Sequence, residues 1–298
     1  MSVPFLKRLS ISNGKNDDCF INIHKTEINE HKEMIDEFRL WCNNKKEIPK
    51  TIRDFQLIEF LNAADYNLIE AKQLIYSNYK YREQYANLIL SERNPLSPRI
   101  QNMWTQMRIF SLPKLTLEGY KIVYVELTDR NATGFDPLTA FNLLFMVIET
   151  TLRCEGLFKG YIIIGNANST TLRHFPLTTF PMLRKLVTFV QESIPIQLKA
   201  LHVINLSRTA EKIYHLIKPF LKRDLITLIH IHTKGITSLH QSITPDLLPT
   251  ELDGELATID HFQTVFRKKV ESMKEWFEIE EMERQDNKKA NQEANSKK

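Results

Sequence analysis

Four histidines, His202, His230, His232 and His240, are the residues whose type and spacing most directly suggest chemistry. His230 and His232 stand at alternate positions of an apolar stretch, so on a strand both imidazoles share one face and could converge on a metal ion. No cysteine and no fitting carboxylate set accompanies them, and metal sites need such companions. They read better as half-buried structural groups, and no metal is expected. Cys19, Cys42 and Cys154 are odd in number and show no C-x-x-C spacing, which fits a reducing compartment better than a disulfide framework. The patterns G-x-G-x-x-G, Walker A, G-x-S-x-G and H-E-x-x-H are missing from the sequence. Spacing does not exclude a Ser-His-Asp set, but nothing points to one. The expectation is a protein that is not an enzyme, with no catalytic residues and no cofactor.

The chain that must position these residues has 298 of them, 42% hydrophobic and 26% charged, enough to bury a substantial core. Lys and Arg number 40 against 36 Asp and Glu, a net charge of +4, so nucleic acid is not the expected partner. The first residues, Met1 to Arg8, hold no apolar signal core. The longest apolar stretch, Phe141 to Ile148, falls far short of the roughly 20 residues needed to span a bilayer. A soluble, cytoplasmic monomer is expected.

Residues 1–24 read as a loosely ordered N-terminus, with Asn13-Gly14 marking a loop. From about Thr26, Ile28, Ile35, Phe38 and Trp41-Cys42 share a helical face. A second helix carries Phe55, Leu57, Ile58 and Leu61. Asn67, with Glu70 three residues on, caps a third that runs toward Leu90. Together 25–93 form a helical module, and Asn94-Pro95 with Ser97-Pro98 a linker.

The pattern then changes. Strands are predicted over 121–127, 161–164, 201–204 and 226–231, separated by helices that begin near Asp136-Pro137, Thr179 and Ala210. This alternation predicts an α/β lobe over 94–277 with a mostly parallel sheet, closed by a helix carrying Phe262, Phe266, Val270, Met273 and Phe277. Residues 278–298 are charged and rich in Gln and Asn, and are expected to be a disordered tail.

Three helices beside the sheet carry more apolar residues than polar solvent contact explains. Phe141, Leu144, Phe145 and Ile148 line one face; Leu186, Phe189 and Val190 line another; Ile213, Leu216, Ile217, Phe220 and Leu221 line a third. Pattern favours a filled core, while a hollow pocket for a lipophilic ligand has the same composition.

Order along the chain adds to this. A helix-ending Ile194-Pro195 precedes Leu201-His202-Val203-Ile204-Asn205, followed by Lys218-Pro219-Phe220-Leu221, Ile229-His230-Ile231-His232 and Leu247-Leu248-Pro249-Thr250-Glu251-Leu252-Asp253-Gly254. Upstream, Phe60-Leu61-Asn62-Ala63-Ala64-Asp65-Tyr66 is similar to an F-L-R-A-R segment of a helical N-terminal module. In that order the motifs resemble the CRAL-TRIO family of lipid-transfer proteins, in the branch of the α-tocopherol and retinaldehyde carriers, from about Lys50 to Phe277.

The resemblance implies an apolar pocket under a helical lid. Its lining is expected from Phe141, Leu144, Phe145, Ile148, Tyr161, Ile163, Leu186, Phe189, Val190, Ile196 and Leu201, with Tyr161, Thr188 and Asn142 as polar anchors. The lid is expected over about 208–221, with Ile213, Leu216, Ile217, Phe220 and Leu221 facing the ligand and Pro219 breaking the helix. Where relatives bind phosphoinositides with basic residues, this chain has Gln197, Asp224 and Leu228, and Asn62 and Ala64 replace the arginines of F-L-R-A-R. Lys199 is retained, and Lys218, Lys222 and Arg223 are candidate contacts to anionic lipid. The expected function is binding and transfer of a retinoid, carotenoid, tocopherol or other isoprenoid-like lipid, with transient contact to a membrane surface. A phosphoinositide-reading adaptor is the alternative.

Overall fold

The computed structural model describes residues 15–90, 92–176 and 180–296. The helical module comprises α1 (Lys15–Ile23), α2 (Lys25–Glu30), α3 (Lys32–Asn43), α4 (Asp54–Ala63), α5 (Leu68–Gln84), α6 (Ala86–Ile89) and α7 (Pro98–Gln106). At its centre α4 buries Phe55, Leu57, Ile58 and Leu61 completely. Asn67 caps α5, its Oδ1 accepting from the amides of Ile69 (3.0 Å) and Glu70 (3.3 Å).

The lobe follows as β1 (Met107–Leu115), β2 (Tyr120–Leu127), α8 (Pro137–Glu155), β3 (Gly160–Asn166), α9 (Phe180–Ser193), β4 (Leu198–Ile204) and α10 (Arg208–Ile217). A 3₁₀ turn (Lys218–Phe220), α11 (Arg223–Thr227), β5 (Ile229–His232), α12 (Ile236–Leu239), α13 (Ile259–Ser272) and α14 (Lys274–Ser296) complete it. The sheet has order β1-β2-β3-β4-β5, with β1 antiparallel to β2 and the other pairs parallel. Asp136 opens α8, accepting from the amides of Leu138 and Thr139 behind Pro137.

Alternation along parallel strands gives the sheet two faces. Ile122, Tyr124, Ile162, Ile164, Ala200 and Ile204 join one buried core with Leu239, Ile243, Leu248 and Phe266. Val123, Val125, Tyr161, Ile163, Gly165, Leu201, Val203 and Ile229 lie in register on the other.

Several expectations are corrected. Residues 15–23 of the supposedly loose N-terminus form a helix, because Phe20 wedges edge-on between Phe55 (5.5 Å) and Trp276 (5.4 Å). The helix begun near Thr26 is interrupted at His31, whose ring stacks on Tyr66 at 4.0 Å. Residues 226 and 227 are helical rather than strand; Thr227 Oγ1 closes the turn onto the Asp224 carbonyl at 2.6 Å. The charged segment from 278 is not a disordered tail but helix to Ser296. Its charges meet partners on the N-terminal module: Glu280 with Arg82 (2.8 Å) and Arg93, Glu283 with Arg53 (2.9 Å), Arg284 with Glu83 (2.6 Å). Helix α7 and strand β1 had no counterpart in the sequence reading.

Candidate functional site

The second sheet face is the candidate site. Val123 and Tyr161 are buried at its β2–β3 start, packed with Leu152 of α8 and flanked by Ile148, Phe158 and Ile196. Toward the strand ends cover thins: Ile163, Leu201, Val203 and Ile229 are half-buried, and Ile231 is 37% exposed. A half-covered row of apolar side chains on one face is the kind of surface that hydrophobic ligands or partners cover, which makes this face the candidate site. At its C-terminal edge lies a cavity of about 270 Å³, lined by Val125, Gly165 and Val203 of the floor, Phe141 and Leu144 of α8, and Phe135 and Phe175 of the adjoining loops. Polar groups meet the cavity at one corner. Asn166 Nδ2 donates to Glu126 Oε1 (2.9 Å) and to Tyr124 Oη (3.1 Å), and Arg108 donates to Glu126 Oε2 (3.2 Å).

The residues proposed from sequence divide. Tyr161, Ile163 and Leu201 lie on the floor, and Ile196 packs beside Tyr161. Phe141 and Leu144 line the cavity. Phe145, Leu186 and Phe189 instead bury themselves with Ile89, Leu90 and Ile194, where α9 meets the helical module; Ile148 packs partly against that cluster and partly against Tyr161's. Val190 is 38% exposed. An apolar helix face announces that it will be covered, not whether a sheet or another helix covers it.

Of the polar anchors, Asn142 is committed to backbone, donating to the carbonyls of Leu138 (2.8 Å) and Leu88 (3.3 Å). Thr188 bonds within its own helix to the Arg184 carbonyl at 3.0 Å. The Tyr161 hydroxyl is buried and has no hydrogen-bond partner among the described residues. Burial, with the carboxylates of Glu59 and Glu155 nearby, raises its pKa, so the phenol keeps its proton.

The segment 208–221 is α10 plus the 3₁₀ turn containing Pro219. Ser207 caps α10 by accepting from the Ala210 amide at 3.1 Å. Ile213 is buried, Leu216 is 41% exposed, and Ile217, Phe220 and Leu221 are half-buried. Lys218, Lys222 and Arg223 are exposed; Lys222 Nζ lies 3.3 Å from Glu192. Lys199 is engaged by a neutral amide: it donates to Gln197 Oε1 (2.7 Å), and Gln197 Nε2 donates to the Asn62 backbone carbonyl (3.0 Å). Amides therefore tie β4 to the helical module where basic residues were sought.

Two of the four histidines bond to each other. His202 Nδ1 lies 2.8 Å from His232 Nε2, and His232 Nδ1 lies 3.1 Å from Ser238 Oγ. Burial, then the neighbouring His232 and His230, lowers the His202 pKa to about 4. No group of three or more metal-ligating side chains with suitable geometry occurs among the described residues.

A second cleft, of about 400 Å³, separates α14 from the helical module. Ion-paired Arg82, Glu280, Arg284 and Lys288 line it, so it is poorly suited to an apolar guest. Deeper, Glu59 pairs with Arg153 and lies 3.8 Å from His24. Burial raises the Glu59 pKa to about 7 against the opposing pull of Arg153. Sequence reasoning missed Gly165, Phe135 and Phe175; only the break in the β-branched run at Gly165 carried a signal.

A family profile described as "CRAL/TRIO domain" matches residues 105–254, and one described as "Pinta-like, UBA domain" matches residues 27–100. Clavesin-2 of Rattus norvegicus is 25% identical over 208 residues, 70% of this chain and 63% of that protein. "Alpha-tocopherol transfer protein-like" of Homo sapiens is 24% identical over 222 residues, 72% of this chain and 64% of that protein. The match thus spans less than two thirds of those relatives. Among solved structures, that of Sfh5 aligns with a TM-score of 0.48 and 12% identity, covering 84% of this chain and 92% of that one. No helix among the described residues is long and apolar enough to cross a membrane.

Proposed function

The chain belongs to the CRAL/TRIO family, whose members generally bind hydrophobic ligands, and on that premise we propose that it holds and transfers an isoprenoid-like lipid such as a retinoid, carotenoid or tocopherol. The observation that carries this is the half-covered apolar floor of Ile163, Leu201 and Val203 opening into a cavity of about 270 Å³. In water, shielding each ligand CH₂ is worth about 0.8 kcal/mol, so the segment 208–221 acts as a lid that closes over the guest. At a bilayer that gain vanishes, because the lipid core is equally apolar. Leu216, Ile217 and Phe220 then enter the surface and the lid opens. Selection among lipids comes from shape and from few polar contacts, Tyr161 foremost.

The adaptor reading draws less support. A phosphate head group needs preorganised, charge-assisted donors, and Gln197 with Asn62 offers a neutral network in that place. Organic extraction and mass spectrometry of the purified protein, beside native mass spectrometry of the complex, tests the proposal. A stoichiometric apolar lipid supports the carrier. A protein that arrives empty and takes up no lipid from vesicles refutes it.

A further inference from the structure

Gly165 is a glycine without an internal reason to be one. It lies within β3, paired with Val125 on one side and Val203 on the other. Its φ is outside the left-handed region, unlike those of Gly119, Gly134, Gly156 and Gly235. Nor does a neighbour crowd it. A Cβ at Gly160 would stand 2.4 Å from Lys199, and one at Gly254 would stand 2.1 Å from the Leu248 carbonyl oxygen; a Cβ at Gly165 would meet nothing within 4 Å. Glycine weakens a strand, and in a strand interior it often marks where a ligand approaches the backbone closely.

The missing side chain opens into the cavity. Gly165 lines it together with Val125, Val203, Phe141 and Leu144. Adjacent strands lie about 4.8 Å apart, so the backbones carrying Val125 and Val203 stand roughly 10 Å apart, and the missing side chain between them leaves a notch in which a six-membered ring can lie against the β3 backbone. Four residues earlier on the same face stands Tyr161, about 13 Å away along the strand and buried, a large side chain where Gly165 has none. The floor is therefore broad at one end and narrow at the other.

Resting on the carrier function proposed above, we infer that Gly165 is the residue that selects the ligand, admitting a lipid with a compact ring at one end and a flexible chain at the other. The ring lies over Gly165 and the chain runs past Ile163 toward Tyr161. A wholly linear lipid makes no use of the notch.

The test compares wild type, Gly165→Ala and Gly165→Val with two fluorescent probes, retinol, which carries a ring, and parinaric acid, which is linear. Valine fills the notch, so retinol affinity falls at least about tenfold, the effect of a methylene-scale clash in a fitted pocket, with alanine intermediate. Parinaric acid affinity stays within about twofold, which also shows that the variants fold. Equal losses for both probes, or no loss for retinol, would overturn the inference while leaving the carrier function intact. If the wild type binds neither probe, the carrier function fails and the selectivity proposal falls with it.

Discussion

Gln191 holds Lys222 by its backbone: the side-chain oxygen of Gln191 accepts the Lys222 amide at 2.7 Å, while its nitrogen donates to the Phe220 carbonyl at 3.1 Å. One carboxamide on α9 thus satisfies backbone groups on both sides of Leu221, just beyond the break at Pro219. The break has a cause in the chain, since proline cannot continue the helical hydrogen-bond ladder. Gln191 supplies what the turn then lacks.

That clasp predicts a kinetic phenotype. Replacing Gln191 with Leu removes two neutral hydrogen bonds, each worth about 0.5–1.5 kcal/mol. Release of bound retinol to vesicles should quicken by about tenfold, followed by stopped-flow fluorescence. An unchanged rate would mean that the turn plays no part in release.

Leu216 is 41% exposed, so charging it should not damage the fold. Leu216→Asp is expected to slow transfer of retinol to neutral phosphatidylcholine vesicles by about tenfold while leaving equilibrium binding in water unaltered. The wild-type rate should change little with added salt, because insertion rather than charge drives the contact. A steep salt dependence would favour electrostatic recruitment instead.

Arg153 and Glu59 form a buried pair. Removing one partner leaves the other charge uncompensated, so Arg153→Met should cost about 3–5 kcal/mol in chemical denaturation. The double variant Arg153→Met with Glu59→Gln should regain most of that loss. If both variants are equally unstable, packing against Phe55 and Trp276 rather than charge accounts for the effect.

His202 gives a pH dependence. Folded, its pKa is about 4; unfolded, it binds a proton near the ordinary 6.5. Stability from this group is therefore present above pH 6.5 and is lost as pH falls toward 4. Glu59, raised to about 7, has the opposite sign: its contribution declines as pH rises from 4.5 to 7. His202→Gln should accordingly flatten the loss between pH 6.5 and 4.5, measured by urea unfolding at both. An unaltered slope would show that His202 is not responsible.

The parallel strands were legible because β-branched runs such as Tyr161–Ile164 have few other homes, and the cap at Asn67 because its chemistry is local. Strand β1 was not: Arg108, Ser111, Pro113 and Lys114 interrupt its apolar residues, and it is ordered by distant partners, β2 on one side and α13 through Gln263, which accepts from the Ile109 amide at 3.0 Å. Phe145, Leu186 and Phe189 were recognised as an apolar face, but their packing against Ile89, Leu90 and Ile194 was not foreseen, since periodicity reports a face and not what lies against it. The C-terminal helix failed for the same reason at longer range. Nothing near Glu280 in sequence hints at Arg82 and Arg93.

That helix also bears on how the protein is made. Arg82 and Glu280 are 198 residues apart in the chain, and Lys46 and Asn291 are 245 apart. Ribosomes add about 5–20 residues per second, so the helical module waits roughly 10–40 s after its own synthesis for the segment that completes its charges. Through that interval Arg82 lacks its carboxylate and the hydrophobic ring of Trp276 has yet to cover Phe20 and Phe55. The first part of the chain to be born is among the last to be finished.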